Sequence, residues 1–155
     1  MFDNDVYLTE QLTHLKLPFK VKQASGDHSR ILIIDEYDEV WLLKINRANV
    51  NPRKLGIKAK KVVCYGHCMI IDQNDDLWSF GDNLFGQLGL GHYIDMDDPV
   101  KVDLNFKVKN VECDIGYTIL LDQDNNMWGC GHNKKTEIVG FLQIGLTETS
   151  YNTFQ

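Results

Sequence analysis

Three times along this chain an apolar run of strand length meets a short polar stretch, then one apolar residue and a tryptophan. The runs are Arg30-Ile31-Leu32-Ile33-Ile34-Asp35 before Trp41, His67-Cys68-Met69-Ile70-Ile71-Asp72 before Trp78, and Tyr117-Thr118-Ile119-Leu120-Leu121-Asp122 before Trp128. Each reads as a buried strand, a tight turn and a second strand, which is a β-hairpin. Asp35, Asp72 and Asp122 each stand six residues before their tryptophan. A further strand is predicted upstream of each hairpin, at Phe19–Ala24, Lys60–Cys64 and Val108–Cys113. Pro18, Pro52 and Pro99 lie before those strands, at starts or edges where a missing N–H costs no ladder bond.

The frame extends past the tryptophans. Trp78-Ser79-Phe80-Gly81-Asp82-Asn83 is echoed by Trp128-Gly129-Cys130-Gly131-His132-Asn133, fifty residues on. Trp41 and Trp78 are 37 apart, so the first unit lacks the long glycine-rich loop and has Leu42–Asn49 instead. Repeats of this length made of short strands and glycine-rich turns predict propeller blades. The fold class expected is all-β, a partial β-propeller of about three antiparallel blades. Residues 1–17 are read as an N-terminal segment or partial blade, 18–49 as a degenerate blade, 50–98 as the best-formed blade, and 99–155 as a third blade with a divergent tail. Within the first segment, Thr9–Lys16 is a short helical candidate with a thin apolar stripe, or a strand of an incomplete blade. Phe141–Gly145 looks like the start of another strand.

Gly81-Asp82-Asn83 and Gly86-Gln87-Leu88-Gly89-Leu90-Gly91, behind an aligned Trp78, resemble the regulator of chromosome condensation repeat family. The resemblance covers roughly residues 18–140 and is strongest over 60–133. It implies a β-propeller, and family members mostly form seven blades in about twice this length. Where the family has Asp-Gly at the hairpin turn, this chain has Tyr37-Asp38, Asn74-Asp75 and Asp124-Asn125. Asp and Asn tolerate left-handed backbone, so the second and third turns fit, whereas Tyr37-Asp38 is expected to form a different or wider turn. Three blades cannot close such a ring, and repeat units bury their faces on neighbours. Self-association that completes the array is therefore expected, with docking on a larger partner or a self-shielding terminal blade as alternatives.

Charge and composition narrow the partners. The net charge of −6 is unevenly spread, +2 over residues 1–60 and −8 over 61–155. The acidic half argues against wrapping a phosphate backbone. The local basic run Arg47, Arg53, Lys54, Lys58, Lys60 and Lys61 is read first as a solvated linker and strand edge, with a nucleic-acid or acidic-partner patch as the alternative. No stretch approaches the ~20 apolar residues of a membrane helix, and no signal peptide is visible. The chain is expected to be cytoplasmic or nuclear with reduced thiols. Its three alanines against twelve asparagines and twelve isoleucines hint at an AT-rich genome, such as a protist or a large DNA virus, in which case a virion is a further location.

No catalytic constellation is found, and an enzyme is not expected. The serines lie outside any G-x-S-x-G context, and the glycines of 86–91 match no nucleotide fingerprint. Cys64, Cys68 and His67 with Cys130 and His132 raise zinc, but small buried cysteines in strands explain them better. Asp122–Asn126 lacks the glycine and glutamate of a calcium loop. No metal or cofactor is expected. The three tryptophans are read as packing between blades.

The function expected is a non-enzymatic protein-binding or assembly module built from propeller repeats. Its candidate contact residues are the long-loop group Asn83, Leu84, Phe85, His92, Tyr93, Ile94 and Met96, with packing of these residues under the loop as the alternative. Guanine-nucleotide exchange on a small GTPase with chromatin contact is the other function that the resemblance implies. It demands a complete propeller and an inserted wedge, and neither is visible.

Overall fold

The computed structural model describes residues 15–45, 50–132 and 137–144. Thr9–His14 of the helical candidate, Arg47 and Lys134–Thr136 lie outside them. The regular structure in the described residues is all antiparallel β. In chain order the strands are β1 (Val21–Gly26), β2 (Arg30–Asp35), β3 (Glu39–Lys44), β4 (Pro52–Tyr65), β5 (His67–Asp72), β6 (Leu77–Gly81), β7 (Met96–Lys101), β8 (Val108–Asp114), β9 (Tyr117–Asp122), β10 (Met127–His132) and β11 (Glu137–Gln143). Sequential strands pair, β1 to β7 in one continuous sheet and β8 to β11 in a second.

β4 explains why two sheets make three blades. Its first part, from Pro52 to Lys58, pairs with β3, and from Ala59 onward it pairs with β5. Gly56 lies where the register of this first part with β3 shifts, and its φ is +73° with open space where a Cβ would be. Blade 1 is thus β1, β2, β3 and the start of β4. Blade 2 is the rest of β4 with β5, β6 and β7, and blade 3 is β8 to β11. The strand expected to begin at Phe141 is the end of β11, the outer strand of blade 3.

The core lies between blades. Leu32, Ile34, Val40 and Leu42 of blade 1 pack on Ala59, Val62, Cys64, Cys68, Ile70 and Phe80 of blade 2. Met69, Ile71 and Leu77 of blade 2 pack on Val102, Val108, Val111 and Leu120 of blade 3. Successive side chains of a strand face opposite ways, so β5 gives Cys68 and Ile70 to one neighbour and Met69 and Ile71 to the other. This is why its apolar run is continuous rather than alternating, since both faces are covered. Each such side chain contributes about 1.5–3 kcal/mol by leaving water.

The hairpin turns are alike in all three blades. Asp38, Asp75 and Asn125 have φ of 68°, 64° and 66°, and each N–H bonds the carbonyl of Asp35, Asp72 or Asp122 at 3.1 Å. The wider turn expected at Tyr37-Asp38 is therefore corrected. Asp38 takes the left-handed position, and Tyr37 stands before it, where its ring projects into solvent.

The aspartate six residues before each tryptophan organises that turn. Asp72 Oδ1 accepts the N–H groups of Asn74 (2.8 Å) and Asp76 (3.0 Å), and its Oδ2 accepts Trp78 Nε1–H at 2.9 Å. Asp35 does the same for Tyr37, Glu39 and Trp41, and Asp122 for Asp124, Asn126 and Trp128. Burial pushes the Asp35 and Asp122 carboxyls up, but these bonds outweigh it and hold both below the usual carboxylate range. The indoles lie half-buried at matching places. Trp41 stacks on Phe19 and Trp128 on Phe106, with centroids 4.6 and 4.3 Å apart, and Trp78 packs against the core between blades 1 and 2.

The expectation of reduced thiols is corrected at one pair. Cys64 and Cys68 stand directly opposite across β4 and β5, with Cα atoms 4.1 Å apart, and are joined as a disulfide. Cys64 gives its N–H to Ser25 Oγ rather than to β5, so the pair is of the closer, non-hydrogen-bonded kind. Cys113 and Cys130 are free thiols, and burial raises the pKa of both, that of Cys113 to about 12.

Candidate interaction surface

One end of the blades carries the turns β4–β5 and β8–β9 and the long loop between β6 and β7. Asp82 N–H reaches the Gly66 carbonyl (3.4 Å) and His132 N–H the Gly116 carbonyl (2.7 Å), which ties loop and turn together at this rim. The loop leaves β6 at Gly81, whose φ is +108° and where a Cβ would sit 2.9 Å from His67 Cα. Only glycine fits such an approach.

Asn83 holds the loop shut. Its side chain is buried, with Nδ2 donating to the carbonyls of His92 (2.9 Å) and Ile94 (3.0 Å) and Oδ1 accepting Leu88 N–H at 3.0 Å. Its own N–H goes to Asp95 Oδ1 at 2.7 Å. Gln87 then fastens the loop to blade 3: its carbonyl accepts Thr118 Oγ1–H at 2.7 Å and Cys130 Sγ–H at 3.3 Å.

A buried histidine completes this joint. His67 Nε2 lies 2.6 Å from Thr118 Oγ1. The hydroxyl proton is committed to Gln87, so Nε2 must carry the hydrogen and donate. That leaves Nδ1 a bare acceptor, and it is buried with no partner among the described residues. Burial, with Arg30 beside it, lowers the His67 pKa to about 4.

The seven candidate contact residues divide. Leu84 and Ile94 are 70% and 67% exposed and Tyr93 48%, so three apolar side chains stand outward on a loop anchored from beneath. Phe85 is half-buried, 4.9 Å from the His132 ring, and Met96 packs against the core between blades 1 and 2. His92 is half-buried and accepts Ile94 N–H at Nδ1. Asn83 faces inward throughout. Tyr65, Ile115 and Tyr117 are exposed on the same rim and were not anticipated. The available signal was an isoleucine at a turn, Asp114-Ile115-Gly116, where a polar residue is the ordinary choice.

The basic run is placed as a paired edge. Arg53 meets Asp98 (2.8 Å), Lys54 and Lys58 meet Glu39 (3.4 and 4.0 Å), Lys60 meets Asp75 (2.6 Å) and Lys61 meets Glu112 (2.6 Å). Among the described residues, no three or more His, Cys, Asp or Glu gather as a metal site would need.

The family model for the regulator of chromosome condensation (RCC1) repeat matches residues 74–121. This stretch of the chain carries an RCC1 repeat. Its matched span starts in the hairpin turn of blade 2 and ends on β9, so it includes the rim loop and the Gln87–Thr118 joint. An RCC1 domain-containing protein of Dictyostelium discoideum is 26% identical over 64% of this chain and 22% of its own length. The guanine nucleotide exchange factor SRM1 of Saccharomyces cerevisiae is 24% identical over 91% of this chain and 34% of its own. The chain thus spans no more than about a third of these relatives. Among solved structures, human WBSCR16 superposes with a TM-score of 0.71 at 18% identity, covering 87% of this chain and 42% of that one. Yeast RCC1 (Prp20) bound to Kap60 gives 0.70 at 17%, covering 86% and 39%. These likenesses establish the RCC1-type partial propeller fold.

Proposed function

We propose that this RCC1-repeat chain is a non-enzymatic protein-binding module, working in the cytoplasm or nucleus, whose rim loop is its contact surface. One observation carries the reading: Leu84, Tyr93 and Ile94 are held outward on a loop whose base is buried and hydrogen-bonded through Asn83 and Gln87. A pre-ordered apolar surface binds without paying to order itself, and clustered exposed apolar groups mark interaction sites. Solved relatives support a protein partner, since yeast Prp20 is described with Kap60 and for its binding to Gsp1p and histones. The test is a photo-crosslinking residue at position 94 in the expressed chain. One or a few defined proteins should be captured, and Leu84→Asp should abolish capture while leaving thermal unfolding unchanged. Capture that ignores Leu84→Asp would refute the reading.

The match to an exchange factor over 91% of this chain favours a second reading, nucleotide release from a small GTPase. Fluorescent-GDP release from a small GTPase of the Gsp1p kind tests it, and no acceleration at saturating chain would dismiss it.

A further inference from the structure

Blades 1 and 2 are joined along their inner strands by side chains that cap a strand edge. Gln23 Oε1 accepts Val62 N–H (3.1 Å) while Gln23 Nε2 donates to the Val62 carbonyl (3.3 Å). Ser25 Oγ accepts Cys64 N–H (3.0 Å) and Asp27 Oδ2 accepts Gly66 N–H (2.7 Å). Register carries these positions onto blade 3. Gln23 lies opposite Ile34 as Asn110 lies opposite Leu121, and Ser25 opposite Leu32 as Glu112 opposite Ile119. Asp114 then stands where Asp27 does.

Asp114 matches Asp27 but lacks its last partner. Each Oδ1 accepts an N–H of its own turn, from Ser29 at 2.8 Å and Ile115 at 2.7 Å. Asp27 Oδ2 takes the next blade's N–H, whereas Asp114 Oδ2 has the Tyr117 hydroxyl at 3.2 Å. The sheet behind is open as well. Met69, Ile71 and Leu77 of blade 2 are buried, but their counterparts Ile119 and Leu121 are half-buried and Met127 is 40% exposed. Leu142 and Ile144 beside them are 43% and 42% exposed.

We propose that this trailing face of blade 3 takes the inner edge of blade 1 of a second copy of the chain, head to tail. Ala24 and Gly26 occupy the positions of Val62 and Cys64, so their N–H groups point away from β2, and both residues are exposed. Asn110 and Glu112, whose oxygens Lys61 of blade 2 also contacts, meet Ala24 and Gly26 as Gln23 and Ser25 meet Val62 and Cys64, and Asp114 meets His28 N–H as Asp27 meets that of Gly66. Ile33 and Leu43 of blade 1 are already buried, so the join runs along the inner edge, at Val21, Ala24 and Gly26. Charge selects a copy of this chain as the occupant, because blade 1 (residues 21–58) carries +2 and blade 3 (residues 108–143) carries −2. Such a contact is heterologous, using different surfaces on the two copies, and builds rings or filaments. It does not involve the rim loop and stands apart from the binding role proposed above.

Two defective chains test it. Glu112→Lys with Asp114→Lys removes two of the three acceptors, and Ala24→Pro removes a donor N–H at a strand edge. In sedimentation, the parent should self-associate with rising concentration and each variant alone should stay monomeric. An equal mixture should form a heterodimer about tenfold or more tighter than either variant with itself, because each retains one intact surface. If Ala24→Pro fails to fold by circular dichroism, Val21→Asp replaces it. A monomeric parent, variants that still self-associate, or a mixture that stays monomeric would each overturn the proposal. So would an assembly lost in Ile94→Asp but kept in the acceptor variant.

Discussion

Replacing Asp72 by alanine removes three hydrogen bonds at once, those from Asn74 N–H, Asp76 N–H and Trp78 Nε1–H. The two backbone donors lie in a turn that water reaches, so each loses about 0.5–1.5 kcal/mol. The indole N–H belongs to a half-buried ring and loses about 1–3 kcal/mol if it finds no acceptor. Release of the carboxylate from burial returns part of this, leaving about 2–4 kcal/mol of destabilisation. That is a large share of the ~5–15 kcal/mol typical of a domain. Asp72→Asn keeps one acceptor oxygen, serving either the indole or the turn, and falls between. Urea unfolding followed by tryptophan fluorescence reads the difference. With a slope of about 2 kcal/mol per molar, the alanine midpoint should drop by about 1–2 M with the slope unchanged. An alanine variant within about 0.5 kcal/mol of the parent would show that the Asp–Trp pairing does not stabilise the blade.

Three further outcomes follow from the joint, the loop and the carboxylates. His67 is held neutral, with its pKa lowered from 6.5 to about 4, so the unfolded chain binds the extra proton between those values. The stability this neutral ring confers is complete above about pH 6.5 and falls by roughly 3 kcal/mol on acidification to pH 4, a loss His67→Gln should remove in pH-dependent denaturation. Asp27, Asp35, Asp76 and Asp122 are all held below the usual carboxylate range, so their contribution is complete above about pH 4 and is lost as pH falls further. Acid unfolding should therefore continue in His67→Gln below pH 4, and a flat stability profile there would contradict the hydrogen bonds drawn. Asn83→Ala should free the loop carbonyls of His92 and Ile94, raise amide exchange over residues 84–95 and cost about 1–3 kcal/mol; unchanged exchange would refute its role as the loop's anchor.

Much of the architecture was legible in the chain because its signals are local. A strand, a turn and a strand are written within about a dozen residues, and left-handed Asp or Asn at the turn follows from backbone sterics. The six-residue spacing from Asp35, Asp72 and Asp122 to their tryptophans is likewise a hairpin property, so it recurs with the same three bonds. Tyr37-Asp38 forms the same turn as the other two because the left-handed position falls on Asp38, and the larger Tyr37 precedes it in solvent.

What tertiary structure decided depends on register between segments far apart in the chain. Adjacent residues Asn83 and Leu84 are both loop residues by sequence, yet one is buried as the loop's anchor and the other stands in solvent. Cys64 and Cys68 meet because β4 and β5 align them, and Arg53, Lys54, Lys58, Lys60 and Lys61 are paired because Glu39, Asp98 and Glu112 arrive from other strands and Asp75 from a turn. The sequence by itself determined the hairpins, since each has a period and a turn chemistry of its own. The contacts between blades, and hence which surfaces remain open, were decided by packing, because no local pattern records which face of a two-sided apolar strand will find a neighbour.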